Sequence, residues 1–165
     1  MIYVALGANI ASAAGPPETT LKRALEAMPR HGIKVVAVSP FYSSPAWPDP
    51  SEPPYVNAVA KVETKLLPAD LLRELLAIER MFGRVRKSRN EPRTLDLDLI
   101  DYGGLVSDAP HLMLPHPRVH ERAFVLRPLS DIAPGWRHPD TGQSVQDLLR
   151  IVGEEGVKPL ETAQL

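Results

Sequence analysis

Seven residues constrain this chain most: Thr94-Leu95-Asp96-Leu97-Asp98-Leu99-Ile100. Leucines at the odd positions alternate with Thr94, Asp96 and Asp98 at the even ones. A period of 2 reads as a strand, because successive side chains of a strand point to opposite faces. The leucines are expected in a core and both aspartates on the opposite face. Residues i and i+2 of a strand lie about 6–7 Å apart at the Cα. Two carboxylates at that spacing can converge on one or two hard cations; left alone they repel, and each raises the other's pKa.

Immediately upstream, Arg84, Arg86, Lys87, Arg89 and Arg93 place five cations within ten residues. Mg²⁺ takes oxygen ligands, keeps several waters and usually shares itself with substrate phosphates. A cationic loop feeding a carboxylate pair therefore has the composition of a polyphosphate site, in which metals bridge the phosphates while Arg and Lys hold the remaining oxygens. The alternative is a solvated edge strand charged against aggregation. The adjacency of the two pieces, on a strand whose other face is apolar, favours the site.

With 165 residues, the chain suits one domain with its own core. Its net charge of −1 makes the cationic loop a local feature and argues against a general nucleic-acid binder. The absence of cysteine excludes disulfides, thiolate chemistry and Cys-ligated zinc. The first ten residues, MIYVALGANI, lack a basic region and a long apolar stretch, so no signal peptide is read. No apolar run approaches the roughly 18 residues of a membrane span. A soluble, cytoplasmic protein with no membrane partner is expected.

Proline makes up 18 of the residues, about twice average usage. Pro45, Pro48, Pro50, Pro53 and Pro54 cluster in a segment that can be neither helix nor central strand. A long loop from about Ser43 to Pro54 is expected, and such loops tend to be functional.

Around these features the chain reads as follows. Strands are expected at Ile2–Leu6, Ile33–Ser39, Val56–Glu63 and the aspartate segment, with a short one at Leu105-Val106. Helices are expected from Pro17 to Met28, from Pro68 to Phe82 and from about Pro117 to Leu126, with residues 110–117 as loop. Ser144 caps a last helix to about Val152, supported by Asp147 three residues on. Beyond Gly153 the tail is expected to be loosely ordered. The β-α-β-β-α-β order gives an α+β fold, a ferredoxin-like sandwich with a mainly antiparallel sheet and helices packed on it. Residues 1–165 form one domain.

No GxxxxGK[ST] loop, kinase catalytic loop or GxSxG elbow is present. The five histidines show no zinc spacing with acidic partners. Taken together, FYSSPAWP, YVNAVAKVET, GRVRKSRNEPRTLDLDLIDYGG and LPHPRVHERAFVLRPLSDIAP resemble, in order and over nearly the whole chain, the hydroxymethyl-dihydropterin pyrophosphokinases of folate biosynthesis.

The resemblance implies transfer of diphosphate from ATP to the hydroxymethyl group of the reduced pterin, with release of AMP. It implies two Mg²⁺ ions on Asp96 and Asp98, and catalytic roles for Arg84, Arg86 and Arg93. Glu79, Lys87, Ile100, His116 and Arg122 match positions on the ATP side. Tyr55 and Phe124 match an aromatic pair that sandwiches the pterin, and Asn57 the residue that reads its ring edge. Ser44, Pro45 and Trp47 match the segment lining the pterin pocket, and loops 43–54 and 84–92 match mobile lids. The implied partners are the two small-molecule substrates, and the implied state is a monomer. Departures from the family pattern are Ala8 for serine, Ser44 for threonine, Pro48 for glycine, and Asn90 and Glu91 in the cationic loop. Two other functions fit the residues less well: a Mg²⁺-dependent phosphoesterase or nuclease, and an RNA-binding module.

Overall fold

The structure is a computed structural model that describes residues 1–12, 14–46, 50–51, 53–83 and 94–160. Trp47, Arg84, Arg86, Lys87 and Arg93 lie outside the described residues, as do Pro48, Asn90 and Glu91. In chain order the elements are β1 (Ile2–Ala8), α1 (Pro17–Ala27), β2 (Ile33–Val38), β3 (Tyr42–Ser44), β4 (Tyr55–Thr64), α2 (Pro68–Met81), β5 (Asp96–Tyr102), β6 (Ser107–Ala109), β7 (Leu112–Leu114), α3 (Ala123–Ile132), α4 (Val145–Val152) and β8 (Lys158–Pro159). One sheet runs β5-β1-β4-β3-β8, with β2 also paired to β4, and every pairing in it is antiparallel. The ten-residue β4 is long enough to hold both neighbours, β3 along Tyr55–Asn57 and β2 along Ala60–Thr64. The order β5-β1-β4-β2 is the ferredoxin-like arrangement expected from the sequence.

Alternation along the strands supplies two cores. Val4, Leu6, Ala8, Val56, Ala58, Ala60, Val62, Leu97 and Leu99 face α1 and α2, meeting Leu21, Ala24, Leu71, Leu75 and Ile78. Tyr3, Ala5, Val59 and Ile100 face the other way, under Leu126 and Leu129 of α3 and Leu148 and Leu149 of α4. The sheet is thus covered on both faces, a layer more than the sandwich expected. Pro17 and Pro68 open α1 and α2 at first-turn positions, where no intrahelical donor is lost. Ser144 Oγ accepts from Asp147 N at 3.1 Å, the expected cap of α4.

Several boundaries differ from the sequence reading. Ser43 and Ser44 belong to the strand Tyr42–Ser44 rather than to the start of the proline loop, because that strand pairs with Tyr55–Asn57. Leu105-Val106 is not a strand; Ser107–Ala109 pairs with Leu112–Leu114 in a small hairpin, so part of the expected loop 110–117 is strand. The expected helix from Pro117 is a short 3-10 turn at Val119–Glu121 followed by α3, which continues through Pro128 to Ile132. An interior proline costs a helix about 3 kcal/mol. Burial of Val125, Leu126 and Leu129 offsets that cost. No helix among the described residues is long and apolar enough to cross a membrane.

Candidate active site

The leucines of the alternating segment are buried, Leu95 at 0%, Leu97 at 4% and Leu99 at 3% exposure, while Asp96 and Asp98 are half-buried on the opposite face. Across the ladder Asp98 stands opposite Ala5 and Asp96 opposite Gly7, and Gly7 in turn faces Asn57 of β4. Opposite residues of an antiparallel pair share a face. Asp96, Gly7 and Asn57 therefore form one row across three strands. The floor between carboxylate and amide has no side chain, and a Cβ on Gly7 would sit 3.4 Å from Asn57 Oδ1 and 3.8 Å from the Tyr55 ring.

The amide at the end of the row is held. Asn57, 4% exposed, donates through Nδ2 to Ser44 Oγ at 2.8 Å. That bond holds the Asn57 side chain against the end of β3. Tyr55 lies two residues earlier on the same face. Phe124, the second residue of α3, packs against the core on that side. Both members of the expected aromatic pair therefore stand on one side of the sheet, with Asn57. Asn9 donates from Nδ2 to the Pro53 carbonyl at 3.2 Å, tying the end of β1 to the proline segment.

Around Asp98 the helical side contributes two groups. Arg122 Nη1 lies 3.9 Å from Asp98 Oδ2, and its guanidinium carbon sits 5.7 Å over the centre of the Phe124 ring. His116 Nε2 lies 4.0 Å from Asp98 Oδ1. The His116 ring is neutral: its pKa is lowered to about 4, first by burial, then by Arg122 and also by Arg118, with Asp96 opposing. The tautomer follows from a hydrogen bond. Arg118 N donates to His116 Nδ1 at 3.1 Å, so the ring proton sits on Nε2, directed to Asp98. The 4.0 Å contact is a neutral donor facing a carboxylate rather than an ion pair.

His116 is placed by an irregularity in β5. The register with β1 shifts between Tyr3 and Val4, so Tyr3 opposes Asp101 and Val4 opposes Leu99. Ile100, at the shift, accepts His116 N at 2.9 Å through its carbonyl, while its side chain is 1% exposed in the second core. Such bulges commonly re-aim groups beside sites. Ile100 therefore meets His116 through its backbone carbonyl, not its side chain. Glu79 also lies beneath: 2% exposed on α2, its Oε2 accepts Leu97 N at 2.7 Å, pinning β5 between the two aspartates. The structure thus gathers Asp96, Asp98, His116, Arg122, Asn57, Ser44, Tyr55 and Phe124 on one side of the sheet. It sets Glu79 and Ile100 as supports and leaves Pro45 exposed at the end of β3. Gly7 is the residue the sequence reading did not assign; a glycine inside an apolar strand was the available signal for a close approach.

The donor set suits a hard cation shared with a ligand. Among the described residues no group of three or more His, Asp or Glu could form a metal cage. Two carboxylates on one strand face instead offer part of an octahedral oxygen set, the way Mg²⁺ is usually held when phosphates complete it. The class defined by fold and site is an α+β protein with a strand carboxylate pair and a buried amide on one face of an antiparallel sheet.

The model of the 7,8-dihydro-6-hydroxymethylpterin-pyrophosphokinase (HPPK) family matches residues 3–134. A 2-amino-4-hydroxy-6-hydroxymethyldihydropteridine pyrophosphokinase of Pseudomonas aeruginosa is 44% identical over 163 residues, covering 98% of both chains. One of Synechocystis sp. is 40% identical over 158 residues, covering 95% of this chain and 78% of the relative. Among solved structures, the Plasmodium falciparum HPPK-DHPS triple mutant with pteroate aligns at a TM-score of 0.73 and 11% identity; the match covers 98% of this chain but only 46% of that longer one, and shows the shared fold. The chain belongs to the 7,8-dihydro-6-hydroxymethylpterin-pyrophosphokinase family.

Proposed function

We propose that this chain transfers diphosphate from ATP to the hydroxymethyl group of 6-hydroxymethyl-7,8-dihydropterin, forming the pterin diphosphate and AMP in folate biosynthesis. The observation that carries the assignment is the row Asp96–Gly7–Asn57. Neighbouring strands are about 4.8 Å apart, so the carboxylate and the amide stand about 10 Å apart at the Cα. A bicyclic ring can lie along that row, edge toward Asn57 and substituent toward the aspartates.

Tyr55 and Phe124 cover the faces of the ring, and Asn57, its amide fixed by Ser44, pairs with the edge. Asp96 and Asp98 would hold two Mg²⁺ ions, which would supply positive charge to neutralise the triphosphate. Arg122 adds positive charge, and the Nε2–H of neutral His116 donates to a phosphate oxygen. Arg84, Arg86, Lys87 and Arg93 are assigned to the remaining phosphate oxygens. The pterin hydroxyl oxygen bonds to the β-phosphorus as that atom's bond to the α-phosphate oxygen breaks, so β- and γ-phosphates move together, AMP leaves and the hydroxyl proton passes to solvent. No side-chain base is required, because such transfer rests on positioning and charge. The enzyme acts as a cytoplasmic monomer.

The test is AMP release from Mg·ATP with and without the pterin, following pterin diphosphate in parallel. AMP matched by pterin diphosphate is expected. Equal AMP or ADP without pterin would replace the transferase with a hydrolase.

A further inference from the structure

The segment after α4, which carries no assigned role, is built against the strand that presents the pterin pocket. Val157 N donates to Glu154 O at 3.1 Å, closing a turn whose third residue, Gly156, has φ +82°. Positive φ at that position calls for glycine. The turn brings Gly156 against Pro45: a Cβ there would stand 3.0 Å from Pro45 Cδ and 3.1 Å from Cγ. Next, β8 pairs with the outer edge of β3, Lys158 opposite Ser43 and Pro159 opposite Tyr42, and Leu160 N donates to Phe41 O at 2.9 Å. Leu160 is itself packed against the first core. A third tie comes from α3. Arg127 reaches Glu154 at 3.5 Å and donates from Nε to Tyr42 Oη at 3.1 Å, and Tyr42 donates to Asp131.

Strand β3 is three residues long, and Ser44 at its end sets the amide of Asn57. Too short to hold its own position, it is fixed by β4 on one edge and by the tail on the other. We propose that the 154–160 segment is a buttress that pre-positions Ser44 and Pro45 for the pterin, with Gly156 the positioning residue at the contact. The inference rests on the assignment of Ser44 and Pro45 to the pterin pocket. It predicts that displacing the turn weakens pterin binding and leaves the nucleotide end unchanged, because Asp96, Asp98 and His116 stand on β5 and β7's exit, away from the tail. A displaced wall must be restored at each binding event, which lowers apparent affinity.

The experiment compares wild type, Gly156→Ala and Gly142→Ala in the full chain. Gly142 also has positive φ (+76°) but nothing within 4 Å of its Cβ position, so it carries the backbone strain without the contact. Dissociation constants for 6-hydroxymethyl-7,8-dihydropterin, measured with a non-hydrolysable ATP analogue and Mg²⁺ present, are read alongside that of the analogue alone. Gly156→Ala is expected to weaken pterin binding about tenfold, because its Cβ would stand 3.0 Å from Pro45 Cδ and push the turn off the wall. The analogue is expected to bind within about twofold of wild type, and Gly142→Ala to match wild type for both ligands. Unchanged pterin affinity in Gly156→Ala overturns the buttress, as does equal weakening of both ligands or equal loss in Gly142→Ala. A wild type that binds the analogue but no pterin overturns the pocket assignment instead.

Discussion

Glu79 offers a quantitative test of how the aspartate strand is held. Among the described residues β5 pairs with β1 on one side only, and its Leu97 N–H, lying between Asp96 and Asp98, donates to the Glu79 carboxylate at 2.7 Å. Both groups are buried, Glu79 at 2% and Leu97 at 4% exposure. Replacing Glu79 by alanine leaves a buried strand N–H without this acceptor, which costs about 1–3 kcal/mol. For a domain of this size each kcal/mol lowers Tm by about 2–4 °C, so a loss of about 2 kcal/mol lowers it by about 4–8 °C. Glu79→Gln keeps an acceptor and should fall between wild type and Glu79→Ala. Urea unfolding measures the stabilities, and steady-state turnover is expected to fall about tenfold or more in Glu79→Ala as the carboxylates lose their placement. A Glu79→Ala protein within about 0.5 kcal/mol of wild type, with only a raised KM for ATP, would refute the support role and put Glu79 in contact with nucleotide.

Three further predictions follow from the same geometry. Tyr55→Ala and Phe124→Ala should each raise the pterin dissociation constant while the ATP analogue binds nearly as before; calorimetric titration showing unchanged pterin affinity in both would remove the aromatic sandwich. Leu75→Ala, at 1% exposure between α2 and the sheet, should destabilise by about 2–5 kcal/mol without altering ligand preference in the surviving folded fraction. His138 concerns pH. Its pKa is lowered below 6.5 by burial first and by His120, against Asp140 and Asp101, and its Nδ1 accepts the N–H groups of Asp140 and Thr141. The unfolded chain therefore binds the proton more readily, so its contribution is intact above about pH 6.5 and is lost as pH falls through the folded pKa. His138→Asn, which keeps an acceptor but does not titrate, should flatten that part of the Tm-versus-pH curve; an unchanged slope would contradict the assignment.

The parts of the fold legible in the sequence are those where one local pattern decides the outcome. TLDLDLI could bury its leucines only as a strand, and Ser144 with Asp147 marked a helix start that tertiary packing did not move. Pattern failed where distant partners decide. Ser43 and Ser44 looked like loop because the pairing of their strand with β4 and β8 is invisible locally, and α3 runs through Pro128 because burial of Val125, Leu126 and Leu129 in the second core outweighs the proline. The bulge that hands Ile100's carbonyl to His116 leaves no local mark, so Ile100 could be placed near ATP by resemblance but its buried side chain could not be foreseen. Asp96 and Asp98 were readable as candidates from their alternation and neighbours, while Tyr55 and Asn57 became candidates only through the family resemblance. That Gly7 joins them into one row required the register of three strands.

The most direct measurement is pterin diphosphate formation at saturating ATP and pterin, titrated with Mg²⁺, for wild type, Asp96→Asn and Asp98→Asn. If the two carboxylates of β5 hold the metals on the triphosphate, both variants lose at least about a thousandfold in turnover. They should also show reduced Mg²⁺ dependence and remain folded by circular dichroism. Near-wild-type turnover in either variant, with unaltered Mg²⁺ dependence, would contradict the role of the Asp96–Asp98 pair.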